Sequence, residues 1–306
     1  MHFPSPLMLG DTVGLIAPSS PLKRERLLQC INVISSLGYQ PVLGQSATQC
    51  LHGYLAGSDE VRAYDINEMF SDCSINAIFC LRGGYGSTRI MELLDYTTIE
   101  KNPKIFMGYS DITSFHLAFY SLSRLVTFHG PMVSSNMVDD FDYYTRSSME
   151  RALQISPFFV FHNPEGHYYK TIVPGIAKGQ IIGGCLSLVS PSIGTFYQPD
   201  FTDTILFLED IDESLPRCDK LMHHLKNAGV FSQVNGVLLG NFKNCTNPND
   251  KDYTILDFFR DFFAHYDKPV LWGVQSGHEK PMGTIPFGEV CTLNTYAGRV
   301  VFERRP

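Results

Sequence analysis

Basic side chains are in short supply: 24 Lys and Arg stand against 31 Asp and Glu, a formal charge of −7. That balance excludes a general phosphate-backbone binder and a ligand of anionic membrane surfaces. None of the eight cysteines pairs at CxxC spacing, so zinc-ribbon and thioredoxin-type sites lack their basic pattern. HExxH, GxxxxGK[ST] and GxGxxG are absent, which removes the familiar zinc-protease, P-loop and dinucleotide signatures. The start of the chain has no cationic region followed by an apolar stretch and does not read as a secretory signal. A cytoplasmic protein with reduced thiols is therefore expected. The longest uncharged stretch, Gly179 to Pro199, approaches membrane-spanning length but is interrupted by Gly and Pro. It reads as strand, loop and strand in a soluble domain.

The 306 residues, 44% of them hydrophobic, exceed the size at which one core usually stops growing, so two domains or one large one are expected. In the first half, short apolar runs alternate with amphipathic helices. Thr12 to Ala17, Ile75 to Leu81 and Lys104 to Met107 read as buried strands. Lys23 to Leu37 and Thr113 to Leu122 have helical apolar spacing, and Gly38 stops the first of them. Such alternation predicts a parallel sheet covered on both faces, with chemistry at the carboxyl ends of its strands. After about residue 135 strand candidates dominate: Ile172-Val173, Gln180 to Ile182, Thr204 to Leu208, Val237 to Leu239 and Val270 to Val274. Helices are expected over Asp219 to Ala228 and Ile255 to Ala264. A boundary between 135 and 170 gives domains of 1–150 and 165–306.

Four segments carry candidate chemistry. In Gly108-Tyr109-Ser110-Asp111 a buried strand runs directly into a helix, displaying Ser110 beside free helix N–H groups. This suits a nucleophilic serine, but on this segment alone the simpler reading is that Ser110 or Asp111 caps the helix. Ile112 stands where the hydrolase elbow Gly-x-Ser-x-Gly has its second glycine. In Arg82-Gly83-Gly84-Tyr85-Gly86 the glycines let the backbone approach a ligand, as oxyanion donors or as a plain tight turn. Glu209, Asp210, Asp212 and Glu213 close a strand and fit a metal site, acid–base work or solvated charge, with Glu209 best placed to orient a histidine. His278 follows a strand in a Gly- and Pro-bounded loop, where a general base would be displayed. His223 and His224 are adjacent on a helix and point about 100° apart, too far to grip one metal.

As an ordered set these stretches are familiar. Gly10 to Ser19, Arg82 to Gly86, Gly108 to Asp111, His129-Gly130-Pro131-Met132, Gly183-Gly184, Leu208-Glu209-Asp210 and Gly277-His278 resemble the LD-carboxypeptidase family of serine peptidases, which also contains the microcin-C immunity peptidases. The resemblance implies an N-terminal flavodoxin-like parallel-sheet α/β domain carrying the serine. It implies a C-terminal β-rich α+β domain carrying Glu and His, with the active site in the cleft between. By this match Ser110 is the nucleophile, His278 the base and Glu209 its orienting acid, with oxyanion donors at Asp111, Gly83 and Gly84. No metal or other cofactor is implied, and a homodimer is.

The implied reaction removes the terminal D-alanine of cytoplasmic murein tetrapeptides in peptidoglycan recycling. Neither nucleic acid nor membrane is an implied partner. The peptide's free carboxylate calls for a cation, with Arg82, Arg89, Arg217 and Lys280 as candidates. Cys185 departs from the family's usual Asn after Gly-Gly and bears on specificity. Three other readings stand beside this one. An immunity peptidase cutting peptidyl-adenylate toxins holds the nucleobase with an aromatic residue, typically Trp, and this chain's only Trp, Trp272, reads as core. The others are a catalytically silent peptide- or nucleotide-binding protein and a hydrolase using Cys80 or Cys185.

Overall fold

The computed structural model describes residues 1–154 and 156–304. The first half forms strands β1 (Thr12–Ile16), β2 (Gln40–Leu43), β3 (Ala77–Cys80), β4 (Ile105–Gly108) and β5 (Thr127–His129). Helices α1 (Arg24–Ser36), α2 (Asp59–Ser71), α3 (Tyr96–Lys101), α4 (Thr113–Leu122) and α5 (Tyr143–Leu153) alternate with and follow them. The second half forms β6 (Phe158–Phe161), β7 (Lys170–Val173), β8 (Ile176–Cys185), β9 (Ile205–Ile211), β10 (Gly236–Lys243) and β11 (Val270–Trp272). It ends in β12 (Ile285–Phe287), β13 (Val290–Asn294) and β14 (Arg299–Glu303). Its helices are α6 (Leu186–Val189), α7 (Leu215–Asn227), α8 (Val230–Gln233) and α9 (Ile255–Phe262).

Local chemistry accounts for these boundaries. In α1 the buried Leu27, Cys30 and Ile34 recur every three or four residues, and Gly38, at φ +89°, ends the run. Ser58 caps α2 by accepting from the Val61 N–H, with Asp59 and Glu60 in its positive first turn. A reciprocal Thr254–Asp257 box opens α9.

Two sheets result among the described residues. The first has the order β12-β5-β4-β3-β1-β2, parallel except for β12. Its β2-β1-β3-β4-β5 run is the flavodoxin-like order, whose ligand crevice opens where the β1 and β3 loops diverge. Strands β3 and β4 are buried throughout, as a sheet covered on both faces requires. On one face Phe70, Phe106, Phe115 and Phe119 interlock, with Phe106 edge-on to Phe119 at 5.0 Å and to Phe115 at 6.0 Å. Each such pair adds about 0.5–1.5 kcal/mol beyond burial and fixes α4, the helix that follows Ser110. The second sheet has the order β6-β14-β13-β8-β9-β10-β11-β7, with a parallel centre over β8–β11 and antiparallel flanks. The chain crosses between the sheets again late, because β12 returns to pair antiparallel with β5, Ile285 opposite His129.

Two expectations need correction. The stretch 179–199 holds one strand rather than two. After β8 the buried pair Leu186 and Val189, three residues apart, forms a helical face, and Pro191 starts the 3₁₀ turn Ser190–Ser192. Glu209 and Asp210 lie inside β9, which runs to Ile211, not beyond its end. No helix among the described residues is long and apolar enough to cross a membrane.

The close approach of β8 to β9 gives a sharp prediction. Gly183 sits opposite Phe207 at φ +144°, and a Cβ there would run into the Phe207 carbonyl oxygen. Gly183→Ala is expected to cost ~3–5 kcal/mol through backbone strain and overpacking. Urea unfolding at unchanged m-value reads this, and an unmoved midpoint would refute the tight approach.

Candidate active site

Ser110 owes its position to three consecutive backbone states. β4 ends at Gly108, Tyr109 is extended, and Ser110 turns to φ +65° before one 3₁₀ turn, Ser110–Ile112, leads into α4. A non-glycine residue in that region costs of order 1–3 kcal/mol and persists only where its surroundings over-determine it. They do so here. The buried Asp111 carboxylate accepts from Ser19 Oγ at 2.6 Å and from the Ser87 N–H at 2.8 Å, tying the turn to the loops after β1 and β3. Burial pushes the Asp111 carboxyl upward, opposed by those hydrogen bonds.

The same two loops are gripped from the other side by Arg62, which is fully buried. Its guanidinium donates to the carbonyls of Pro18 at 2.8 Å and Gly86 at 2.7 Å and pairs with Asp59. The Gly83–Gly86 turn is thereby pressed against Ser110: a Cβ on Gly83 would stand 3.0 Å from that of Ser110.

The second sheet meets this turn along β8 and β9. The Cys185 N–H donates to Thr113 Oγ1 at 3.1 Å, and Cys185 pairs in register with Glu209. Glu209 is fully buried, and its Oε2 lies 2.7 Å from His278 Nδ1. The loop holding His278 comes this close because residue 277 lacks a side chain: a Cβ on Gly277 would sit 2.6 Å from Glu209 Oε2. A carboxylate can only accept, so the neutral imidazole carries its proton on Nδ1 and leaves Nε2 bare. The ring of Tyr109, next to Ser110, meets the His278 ring edge-on at 4.9 Å. The Glu209–His278 pair thus stands against Tyr109, the residue before Ser110, where the two sheets meet. Ser110 Oγ makes no hydrogen bond to His278 among the described residues.

The electrostatics follow from burial and neighbouring charge. Burial works against the imidazolium of His278, but the charge and hydrogen bond of Glu209 outweigh it, with help from Asp210, so its pKa is raised above 6.5. Asp210 is pushed up to about 6 by burial and by the Glu209 charge. It accepts from Cys185 Sγ at 3.2 Å and from the Ser187 N–H at 2.9 Å. Burial and the same two carboxylates drive the Cys185 thiol far up, and burial does the same to Cys80. Both thiols are buried and biased toward the neutral form, which counts against the Cys-hydrolase alternative. No three His, Cys, Asp or Glu side chains converge as metal ligands among the described residues, and Asp212 and Glu213 stand apart in the turn after β9.

The candidate cations are placed differently from one another. Arg82 is half-buried and donates to the carbonyls of Gly83 and Pro21, both at 3.3 Å. Arg89 pairs with Asp59 at the surface, Arg217 faces Glu213 at 3.9 Å, and Lys280 is exposed. Sequence reasoning missed Lys243, whose Nζ reaches the His278 carbonyl at 3.5 Å. Tyr109 and Arg62 also had no assigned part. For Arg62 the available signal was its helical spacing with Ile66 and Phe70, four and eight residues on, which puts it on their face of α2.

Known proteins match the chain from end to end. Residues 13–130 match the LD-carboxypeptidase N-terminal domain and residues 178–293 the LD-carboxypeptidase C-terminal domain. The chain is 37% identical over 302 residues to the probable murein peptide carboxypeptidase of Bacillus subtilis strain 168, covering 98% of this chain and 94% of that protein. It is 28% identical over 316 residues to the microcin C7 self-immunity protein MccF of Escherichia coli, covering 93% and 90%. The solved muramoyltetrapeptide carboxypeptidase of Oxalobacter formigenes superposes with a TM-score of 0.85 at 26% identity, over 96% of this chain and 99% of that one. With both domains matched and a relative at 37% identity along nearly its whole length, the chain belongs to the LD-carboxypeptidase family of serine-type peptidases.

Proposed function

We propose that the protein is a serine LD-carboxypeptidase that removes the terminal D-alanine from murein tetrapeptides. The observation that carries this reading is the buried Glu209–His278 pair at 2.7 Å, whose imidazole packs on Tyr109 beside Ser110, itself held at φ +65°. His278 Nε2 takes the Ser110 proton as Oγ attacks the carbonyl between the L-configured centre and D-alanine. The same proton then goes to the leaving amine, and water releases the acyl group by the reverse roles. Glu209 fixes the tautomer and stabilises the imidazolium. The N–H groups of Asp111, Gly83 and Gly84 receive the developing oxyanion, each well-aimed donor contributing about 3–4 kcal/mol. The Ser110–His278 hydrogen bond is expected to form as the substrate is bound, since catalytic hydrogen bonds tighten in the Michaelis complex.

The murein reading is favoured over toxin immunity by the packing of Trp272. Its ring lies against Phe242 at 5.9 Å and Phe259 at 5.5 Å, packed on the core of the second sheet. The proposal includes a homodimeric enzyme acting in the cytoplasm on fragments recovered from wall turnover. Mass spectrometry of purified protein with murein tetrapeptide tests it: loss of one D-alanine is expected. An intact tetrapeptide after prolonged incubation, with a peptidyl-adenylate analogue cleaved instead, would replace this reading by the immunity one.

A further inference from the structure

A carboxypeptidase must distinguish a chain end from a chain interior, and the end differs by one negative charge. Resting on the reading of Ser110, His278 and Glu209 given above, the leaving D-alanine places its amine at His278 Nε2. Its carboxylate is only two bonds further on. The cation that reads it therefore has to stand beside His278, within one residue's reach.

Few cations meet that condition. Arg89 and Arg217 already face the carboxylates of Asp59 and Glu213. Arg82 lies on the Gly83 side, with its guanidinium engaged by two main-chain carbonyls. Lys280 is exposed. Lys243 differs from all four. It ends β10, and Asn241, two residues before it and so on the same face of the strand, donates to Gln275 Oε1 at 3.2 Å and Glu279 Oε2 at 3.3 Å. That face is turned to the loop carrying His278, and Lys243 Nζ bonds its carbonyl at 3.5 Å. The ammonium is half-buried, and no carboxylate lies within 4.0 Å of it among the described residues. One carbonyl satisfies one of three donors, so two N–H bonds are left for a ligand. The surrounding carboxylates are otherwise engaged: Glu209 with His278, Asp210 with Cys185 and Ser187, Glu279 with Asn241, and Asp212 with Asn244. The Lys243 charge is also felt by His278, whose pKa it pushes downward against the stronger upward pull of Glu209.

We propose that Lys243 is the specificity residue that binds the free terminal carboxylate of the peptide, making the site selective for substrates with an ionised C-terminus. The test compares kcat/KM on a murein tetrapeptide ending in D-alanine with the same peptide ending in D-alaninamide. Because the ratio is taken within one protein, partial unfolding of a variant cancels. Wild type is expected to prefer the free acid by roughly ten- to a hundredfold, the range of a charge-assisted hydrogen bond. Lys243→Met, which keeps the aliphatic stem, should reduce that preference to within about threefold, and Lys243→Arg should retain most of it. A Lys243→Met enzyme with the wild-type ratio, or an Arg82→Met enzyme that alone loses it, overturns the assignment. A wild type that cleaves acid and amide equally well also overturns it. A wild type that cleaves neither peptide instead refutes the murein reading on which it rests.

Discussion

Ser110→Ala is expected to lower kcat on a murein tetrapeptide by roughly 10⁴–10⁶, the scale seen when a serine nucleophile is removed from a triad. The unfolding midpoint should hardly move. Ser110 Oγ has no hydrogen-bond partner among the described residues, so its loss strands no buried group. The neighbouring hydroxyls make useful contrasts. Ser19 Oγ is bound to Asp111, Ser20 Oγ receives the Tyr85 N–H at 3.2 Å, and Ser87 is fully buried. Each is a structural part of the loops that flank the cleft and cannot leave its place to attack a substrate. D-alanine release under single-turnover conditions reads the effect, and a Ser110→Ala protein within tenfold of wild type would remove Ser110 as nucleophile.

Glu209→Gln should both slow the enzyme and move its pH profile. A neutral amide beside Nδ1 no longer enforces the tautomer, and a loss of about 10³–10⁴ in kcat is expected by analogy with carboxylate-to-amide changes in serine triads. The direction of the pH shift follows from the forces on His278. In the native protein the Glu209 charge and hydrogen bond outweigh burial and raise the imidazole pKa. The reaction needs the neutral base, so kcat/KM should rise with pH through a midpoint above 6.5. Without the carboxylate, burial prevails, and the midpoint should fall below 6.5. Stability runs the opposite way. A base whose folded pKa is raised lends stability below its unfolded value and loses that contribution as pH rises through the folded one. Glu209→Gln should therefore cost most stability on the acid side of neutrality. An acid limb at the same pH in both proteins would show that Glu209 does not act on His278 electrostatically.

Much of this arrangement was legible from residue types alone. β1, β3 and β4 are continuous apolar runs bounded by Gly, Pro or Ser, and a chain that alternates such runs with amphipathic helices has few ways to fold. Ser110 and His278 stood out because each follows a strand in a glycine-marked turn. What could not be read depended on distant pairing. β12 has three residues and no period of its own, and its partner β5 lies over 150 residues earlier in the chain. Glu209 looked like a strand end because an ionisable side chain is costly inside a sheet, and only His278 offsets that cost. No motif surrounds Lys243, and only register with β9 and contact with the His278 loop give it a place.

The late return of β12 also sets the order in which the enzyme comes into being on the ribosome. Ser110 and its turn are made in the first half of the chain, but His278 and the strand that closes the first sheet lie in its last tenth. If Ser110 and His278 act as proposed, a nascent chain carries its serine through more than 160 further residues before the base that would activate it is made. Any product of early termination before residue 278 lacks the base and an edge of the first sheet together. On the proposed roles, peptidase activity thereby waits until residue 278 and the strand that follows it have been made.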